Sequence, residues 1–212
     1  MREGRATEEI AGLAEKLGVG LVVASGSGVS AIGRLVTRSV SEGVARLATA
    51  PTLVVRGEEG AWPPSKLIIC DDSSEAAARA GNLAASAGSL FGARAVLVRV
   101  YPSRLTFRST RTIYDEGIPR ELFKGGDEDL KDRADELEDI LGTRPEIRTP
   151  TGAAAGAIRE IAEEDGKPPL IAVGSRGLSG MAHPAMGSVS TEILRSAATP
   201  VLIVPPTGDG RP

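Results

Sequence analysis

The chain has 212 residues, a net charge of −3 and 41% hydrophobic residues, enough for one or two folded domains. Twenty-five basic residues against 28 acidic ones leave no electrostatic footprint for nucleic acid, and 3% aromatics argues against base-stacking platforms. A single cysteine, Cys70, excludes an internal disulfide and suits a reducing compartment. No apolar run has the length of a membrane span, and the charged start Met1-Arg-Glu-Gly-Arg-Ala-Thr-Glu-Glu9 lacks an apolar signal region, so a cytoplasmic location is expected.

The first expected element is a helix, 7–17, with Ile10, Leu13, Ala14 and Leu17 on its inward face. A strand at 21–24, a helix at 39–48 with Val40, Val44 and Leu47 inward, and a strand at 52–55 follow. Gly60, Trp62, Pro63 and Pro64 mark 58–65 as a linker. Beyond it comes a strand, 66–70, ending at Asp71. Asp72 and Glu75 have capping-box spacing for an alanine-rich helix reaching about Phe91. A strand at 95–100 leads into an irregular, mobile segment, 103–126. A helix, 127–141, carries Leu130, Ala134, Leu137 and Leu141 on one stripe. A short strand, 144–149, a helix, 153–164, a strand, 170–173, a glycine-rich loop, a helix, 191–198, and a last strand, 201–204, close the chain. Strands alternating with helices predict an α/β fold with a doubly wound, open parallel sheet covered on both faces. In such sheets ligands sit at the carboxyl ends of strands where the winding reverses. Here those ends are Asp71 and Gly174.

The segment after the strand at 170–173 carries the chemistry. It reads Gly174-Ser-Arg-Gly177, then nine residues, then Gly187-Ser188-Val189-Ser190 at the start of a helix. Glycines let backbone approach a ligand closely, and a helix N-terminus offers free N–H groups to an anion. No Gly-Lys-Ser/Thr follows and no Gly-x-Gly-x-x-Gly occurs here, so this is neither a P-loop nor a dinucleotide fingerprint. The pattern recurs. Residues 20–55 echo 169–204 without a gap, placing Gly28 on Gly177, Ser39-Val40-Ser41 on Ser188-Val189-Ser190, Arg46 on Arg195 and Pro51 on Pro200. The first copy has Ser25 in place of Gly174 and Arg38 in place of Gly187, where a side chain would occupy space the cradle keeps open.

The spacing Gly174-x2-Gly177-x9-Gly187-Ser188, followed by Thr199-Pro-Val-Leu-Ile-Val-Pro205, resembles the ATP-binding signature of the universal stress protein family. The resemblance covers 66–206 in full and 1–57 as a partial, degenerate second copy, with 58–65 as linker and 207–212 as tail. It implies a five-stranded sheet of order 3-2-1-4-5, of the adenine nucleotide alpha hydrolase-like kind. It also implies ATP, or AMP, as cofactor, with Mg²⁺ or Mn²⁺ bridging the phosphates. The carried-over residues are Asp71 on the adenine side and Val100 packing on the base. Val173, Gly174, Arg176, Gly177, Gly187, Ser188, Val189 and Ser190 carry the phosphate signature. Asp72 stands where the family usually has Gly. On the residues alone, Asp71 also reads as a helix cap, Val100 as core, and Arg176 as a solvated loop arginine. His183, the single histidine, reads as an exposed loop residue, and Cys70 as a small core residue.

No triad or Cys–His pair is visible, so any hydrolysis is expected to be slow. The expected role is a nucleotide-dependent stress-response or regulatory module with an unidentified protein partner. The alternative is a dimeric interaction module that binds no nucleotide. An ATP pyrophosphatase or electron-transfer flavoprotein would need motifs the chain lacks. The strands 52–55 and 201–205 have edges that pair either within one chain or between two. Because the half-copy leaves an unsatisfied face, a homodimer through these last-strand edges is expected.

Overall fold

A computed structural model describes residues 4–25, 33–56, 62–101, 105–108, 111–114, 124–177 and 186–207. In chain order the elements are α1 (Ala6–Leu17), β1 (Val22–Ser25), α2 (Gly33–Leu47), β2 (Thr52–Val55), β3 (Lys66–Cys70), α3 (Glu75–Ser89), β4 (Arg94–Val98), β5 (Leu105–Arg108), β6 (Arg111–Tyr114), α4 (Lys124–Leu141), β7 (Glu146–Arg148), α5 (Ala154–Glu163), β8 (Leu170–Gly174), α6 (Ser188–Ser196) and β9 (Val201–Val204).

Seven strands form one sheet in the order β1-β2-β9-β8-β3-β4-β7. Among the main-sheet strands of 66–204 every pairing is parallel, and β9-β8-β3-β4-β7 is the expected 3-2-1-4-5 arrangement. β3, β8 and β9 are buried along their whole length, which is why they read as unbroken apolar runs. One face packs Ile68, Val96, Ile171 and Ile203 against Ile158 and Ile161 of α5 and Ile193 and Leu194 of α6. The other packs Leu67, Ile69, Leu97 and Leu170 against Ala80 and Ala84 of α3 and Leu130 and Leu137 of α4. The small residues of α3 set its closeness to the sheet: a Cβ on Gly88 would lie 2.4 Å from Leu67 Cδ1.

The N-terminal unit, α1-β1-α2-β2, has the same order of elements as α5-β8-α6-β9. It joins the rest through β2, which pairs antiparallel with β9 in the register Thr52↔Ile203, Leu53↔Leu202, Val54↔Val201. The two last-strand edges therefore satisfy each other inside one chain. Among the described strands both sides of β2 and of β9 are taken within the chain, which leaves no free last-strand edge for the expected homodimer. A second tie crosses the same junction: Glu42 Oε1 of α2 accepts from Arg195 Nε at 3.0 Å and Nη2 at 2.7 Å, and from Arg46 Nη2 at 3.1 Å. The Arg195 hydrogen bond, ahead of the burial that opposes it, holds the Glu42 carboxyl below its ordinary pKa.

Other expectations need correction. The inward face of α1 is mostly outward: Ala11 and Ala14 are buried, but Ile10, Leu13 and Leu17 are exposed, Leu17 by 65%. The reason lies in the sheet. β8 has β3 on its far side, whereas no described strand lies beyond β1, so Val23 is 61% exposed and α1 lacks the surface its apolar stripe would cover. Leu47 of α2 is exposed as well, while Val44 is buried and Val40 packs beside it. The segment read as irregular contains an antiparallel hairpin, β5–β6, pairing Leu105↔Tyr114 and Phe107↔Thr112. Its β-branched and aromatic content carries the strand signal. The N-cap of α3 is Ser74, not Asp72; Ser74 Oγ accepts from Ala77 N at 3.2 Å, and Asp72 Oδ1 accepts from Ser74 N at 3.1 Å. β4 ends at Val98, so Val100 lies just past the strand.

Candidate functional site

β3 and β8 are neighbours in the sheet, and the chain leaves them in opposite directions: to β4 and β7 on one side, to β9 on the other. At their carboxyl ends the backbones cannot stay in one layer, and a cavity of about 260 Å³ opens there. Nine of the ten residues singled out from the sequence line it: Asp71, Val100, Val173, Gly174, Gly177, Gly187, Ser188, Val189 and Ser190. Arg176 is not among them. It is half-buried, and its carbonyl accepts from Ser74 Oγ at 3.3 Å, tying the end of β8 to the cap of α3. The loop 178–185, with His183, lies outside the described residues, as do 26–32 of the first copy.

The described ends of the loop after β8 are held by backbone carbonyls. Ser190 Oγ donates to Gly174 O at 2.7 Å, Gly187 N donates to Ser175 O at 2.7 Å, and Ser175 N donates to Val204 O at 2.7 Å. The Ser190 hydroxyl proton is thus spent on the fold, leaving its oxygen as an acceptor. Gly187 is the N-cap of α6 and supplies no side chain to the first-turn N–H groups. Those groups, on the pocket-lining residues Ser188 to Ser190, carry the positive end of the helix dipole.

The three signature glycines have different reasons. A Cβ on Gly174 would lie 2.8 Å from Ala77 N and 2.9 Å from Ala76 C, so glycine is dictated by the approach of α3. A Cβ on Gly177 would lie 2.2 Å from Asp72 Oδ2. At Gly187 the nearest atom would be Ser175 O at 3.5 Å, and φ is −60°. Among the described residues nothing stands close enough to require glycine there.

The opposite wall is apolar, built from Val98, Val100, Ala154 and Ile158. Cys70 also lines the cavity; burial first, then the neighbouring Asp71 and Asp72, pushes its thiol up to about 12, so it remains a neutral, inert group.

Asp71 is 8% exposed and does not cap α3. Its Oδ2 accepts from Arg99 Nε at 2.8 Å, from Arg99 Nη2, and from Ser73 N at 3.2 Å. Arg99 is 7% exposed and also donates to Asp129 Oδ2 of α4 at 2.8 Å. Burial opposes the Arg99 cation, but Asp71 and Asp129 more than offset it and raise its pKa. Ser73 Oγ donates to Asp129 Oδ2 at 2.8 Å; that bond, then Arg99, holds the Asp129 carboxyl below its usual range. Arg99 was not singled out from the sequence. Its signal was a lone charge at the end of the apolar run 95–98, one strand over from an Asp at the matching end.

The sequence model of the universal stress protein family matches residues 1–56 and 65–205. The chain belongs to the universal stress protein family. It is 28% identical over 193 residues to a universal stress protein of Mycolicibacterium smegmatis, covering 88% of this chain and 62% of that one. Among solved structures, a universal stress protein from Archaeoglobus fulgidus aligns with a TM-score of 0.64 at 19% identity, covering 94% of this chain and 65% of its own. A putative universal stress protein from Pseudomonas aeruginosa aligns at 0.68 with 14% identity, covering 97% and 70%. These two share the fold. The chain thus spans less than two thirds of the length of the M. smegmatis and A. fulgidus proteins.

Proposed function

We propose that this universal stress protein binds an adenine nucleotide, ATP or AMP, in the cavity between β3 and β8, and that it works as a nucleotide-dependent regulatory module. Gly187 carries the reading: it is a glycine that no described contact demands, set at the N-terminus of α6 without a side-chain cap and lining the cavity. The base would lie against Val98, Val100, Ala154 and Ile158, with Asp71 at its edge. The phosphates would lie over Gly174, Gly177 and the first turn of α6, where backbone N–H groups suit an anion. Mg²⁺ or Mn²⁺ bound to the phosphates would neutralise them, and among the described lining residues Asp72 is the carboxylate beside Gly177 that could face it.

On this reading 66–206 is the nucleotide-binding domain and 1–57 a partial, degenerate copy that binds none, with 58–65 as linker. A second reading, an interaction module without nucleotide, is favoured by one observation: the exposed apolar residues Ile10, Leu13, Leu17 and Val23 on α1 and β1.

Calorimetric titration with ATP and Mg²⁺, beside a Gly187→Arg variant, separates the two. One site per chain, abolished in a variant whose thermal unfolding is unchanged, is the expected result. A folded wild type that binds nothing would transfer the assignment to the second reading.

A further inference from the structure

We propose that Asp72 sets the charge selectivity of this pocket, admitting phosphates neutralised by a divalent cation and rejecting free polyphosphate. This rests on the nucleotide reading above. The described lining residues include two carboxylates, Asp71 and Asp72, and no cationic side chain. The two carboxylates are not equivalent. Asp71 is buried against the Arg99 guanidinium, so its charge is balanced inside the protein. Asp72 is exposed, and no described cation pairs with it.

Its two oxygens do different things. Oδ1 accepts from Ser74 N at 3.1 Å, fixing the side chain in the turn before α3. Oδ2 points across the gap between the ends of β3 and β8, to within 2.2 Å of where a Gly177 Cβ would stand. That places a full negative charge directly over the glycine loop whose backbone would hold the phosphates. The dipole of α6 supplies only about half a unit of positive charge, and from the opposite end of the loop. An anion entering with several charges therefore meets repulsion from Oδ2, whereas one carrying a divalent cation meets there a hard oxygen suited to that cation. Repulsion between one unit charge and a phosphate across a partly solvated pocket corresponds to roughly tenfold in affinity.

The test is calorimetric titration of wild type, Asp72→Asn and Asp72→Gly with ATP in excess Mg²⁺, ATP in EDTA, and adenosine. Asparagine keeps the Oδ1 acceptor and removes the charge; glycine removes both. Wild type is expected to bind magnesium-ATP about tenfold or more tighter than free ATP. Both variants should shrink that gap to threefold or less, mainly by tightening free ATP, with adenosine unchanged. A gap of equal size in wild type and Asp72→Asn, or an adenosine affinity that moves with that of ATP, overturns the assignment to Asp72 alone. A wild type that binds none of the three ligands overturns the nucleotide reading and this inference with it.

Discussion

Gly174 and Gly187 stand in one signature, yet the structure assigns them opposite roles, and stability measurements separate these. In Gly174→Ala the new methyl would sit 2.8 Å from Ala77 N, 2.9 Å from Ala76 C and 3.0 Å from Ala76 Cβ. Two of these atoms are α3 backbone, so the helix must shift rather than a side chain rotate. Overpacking of this kind costs about 1–3 kcal/mol, while loss of glycine freedom in the unfolded chain returns about 0.4–1 kcal/mol. At the middle of both ranges the net loss is roughly 1.3 kcal/mol, and at about 2–4 °C per kcal/mol for a chain of this size the midpoint falls by several degrees. In Gly187→Ala the nearest contact is 3.5 Å and the backbone already has φ −60°. The same unfolded-state gain is set there against a small loss at an N-cap, where glycine is preferred to alanine, so stability should stay within about 0.5 kcal/mol of wild type. Urea unfolding at neutral pH without nucleotide measures both. A Gly174→Ala protein as stable as wild type, or a Gly187→Ala protein that loses as much, would refute the division.

Arg99→Met strands the Asp71 carboxylate beneath the pocket, and losing one partner of a buried pair typically costs about 3–5 kcal/mol. Adding Asp71→Asn should recover part of that loss in chemical denaturation, and an Arg99→Met protein within about 1 kcal/mol of wild type would show the pair to be dispensable. Glu42 is held below its ordinary value of 4.5 by Arg195, so its contribution is present above that pH and lost as pH falls through the lower native value. The stability of wild type should therefore drop more steeply below about pH 4.5 than that of Glu42→Gln; parallel curves from pH 7 to 3 would remove Glu42 from the junction of α2 and α6.

The sequence by itself determined the parallel sheet from 66 to 204, because strands buried on both faces must be apolar throughout and the intervening helices must cover them. It also determined the signature loop, because only glycine tolerates a backbone pressed against a helix, as at Gly174. It showed the recurrence of 169–204 in 20–55 and left open whether the two last strands pair within a chain or between chains. Tertiary structure decided that: β2 lies against β9 in the same chain, and the edge left over in the N-terminal unit is β1. It also decided the state of α1, whose spacing of Ile10, Leu13 and Leu17 promises a buried face. Amphipathic spacing records which side of a helix is apolar, but burial needs an opposing surface, and beyond β1 none is described. The same holds at the pocket. Asp71 and Asp72 are adjacent carboxylates in the sequence. Only the fold brings Arg99 from the next strand to balance the first and leaves the second facing the glycine loop.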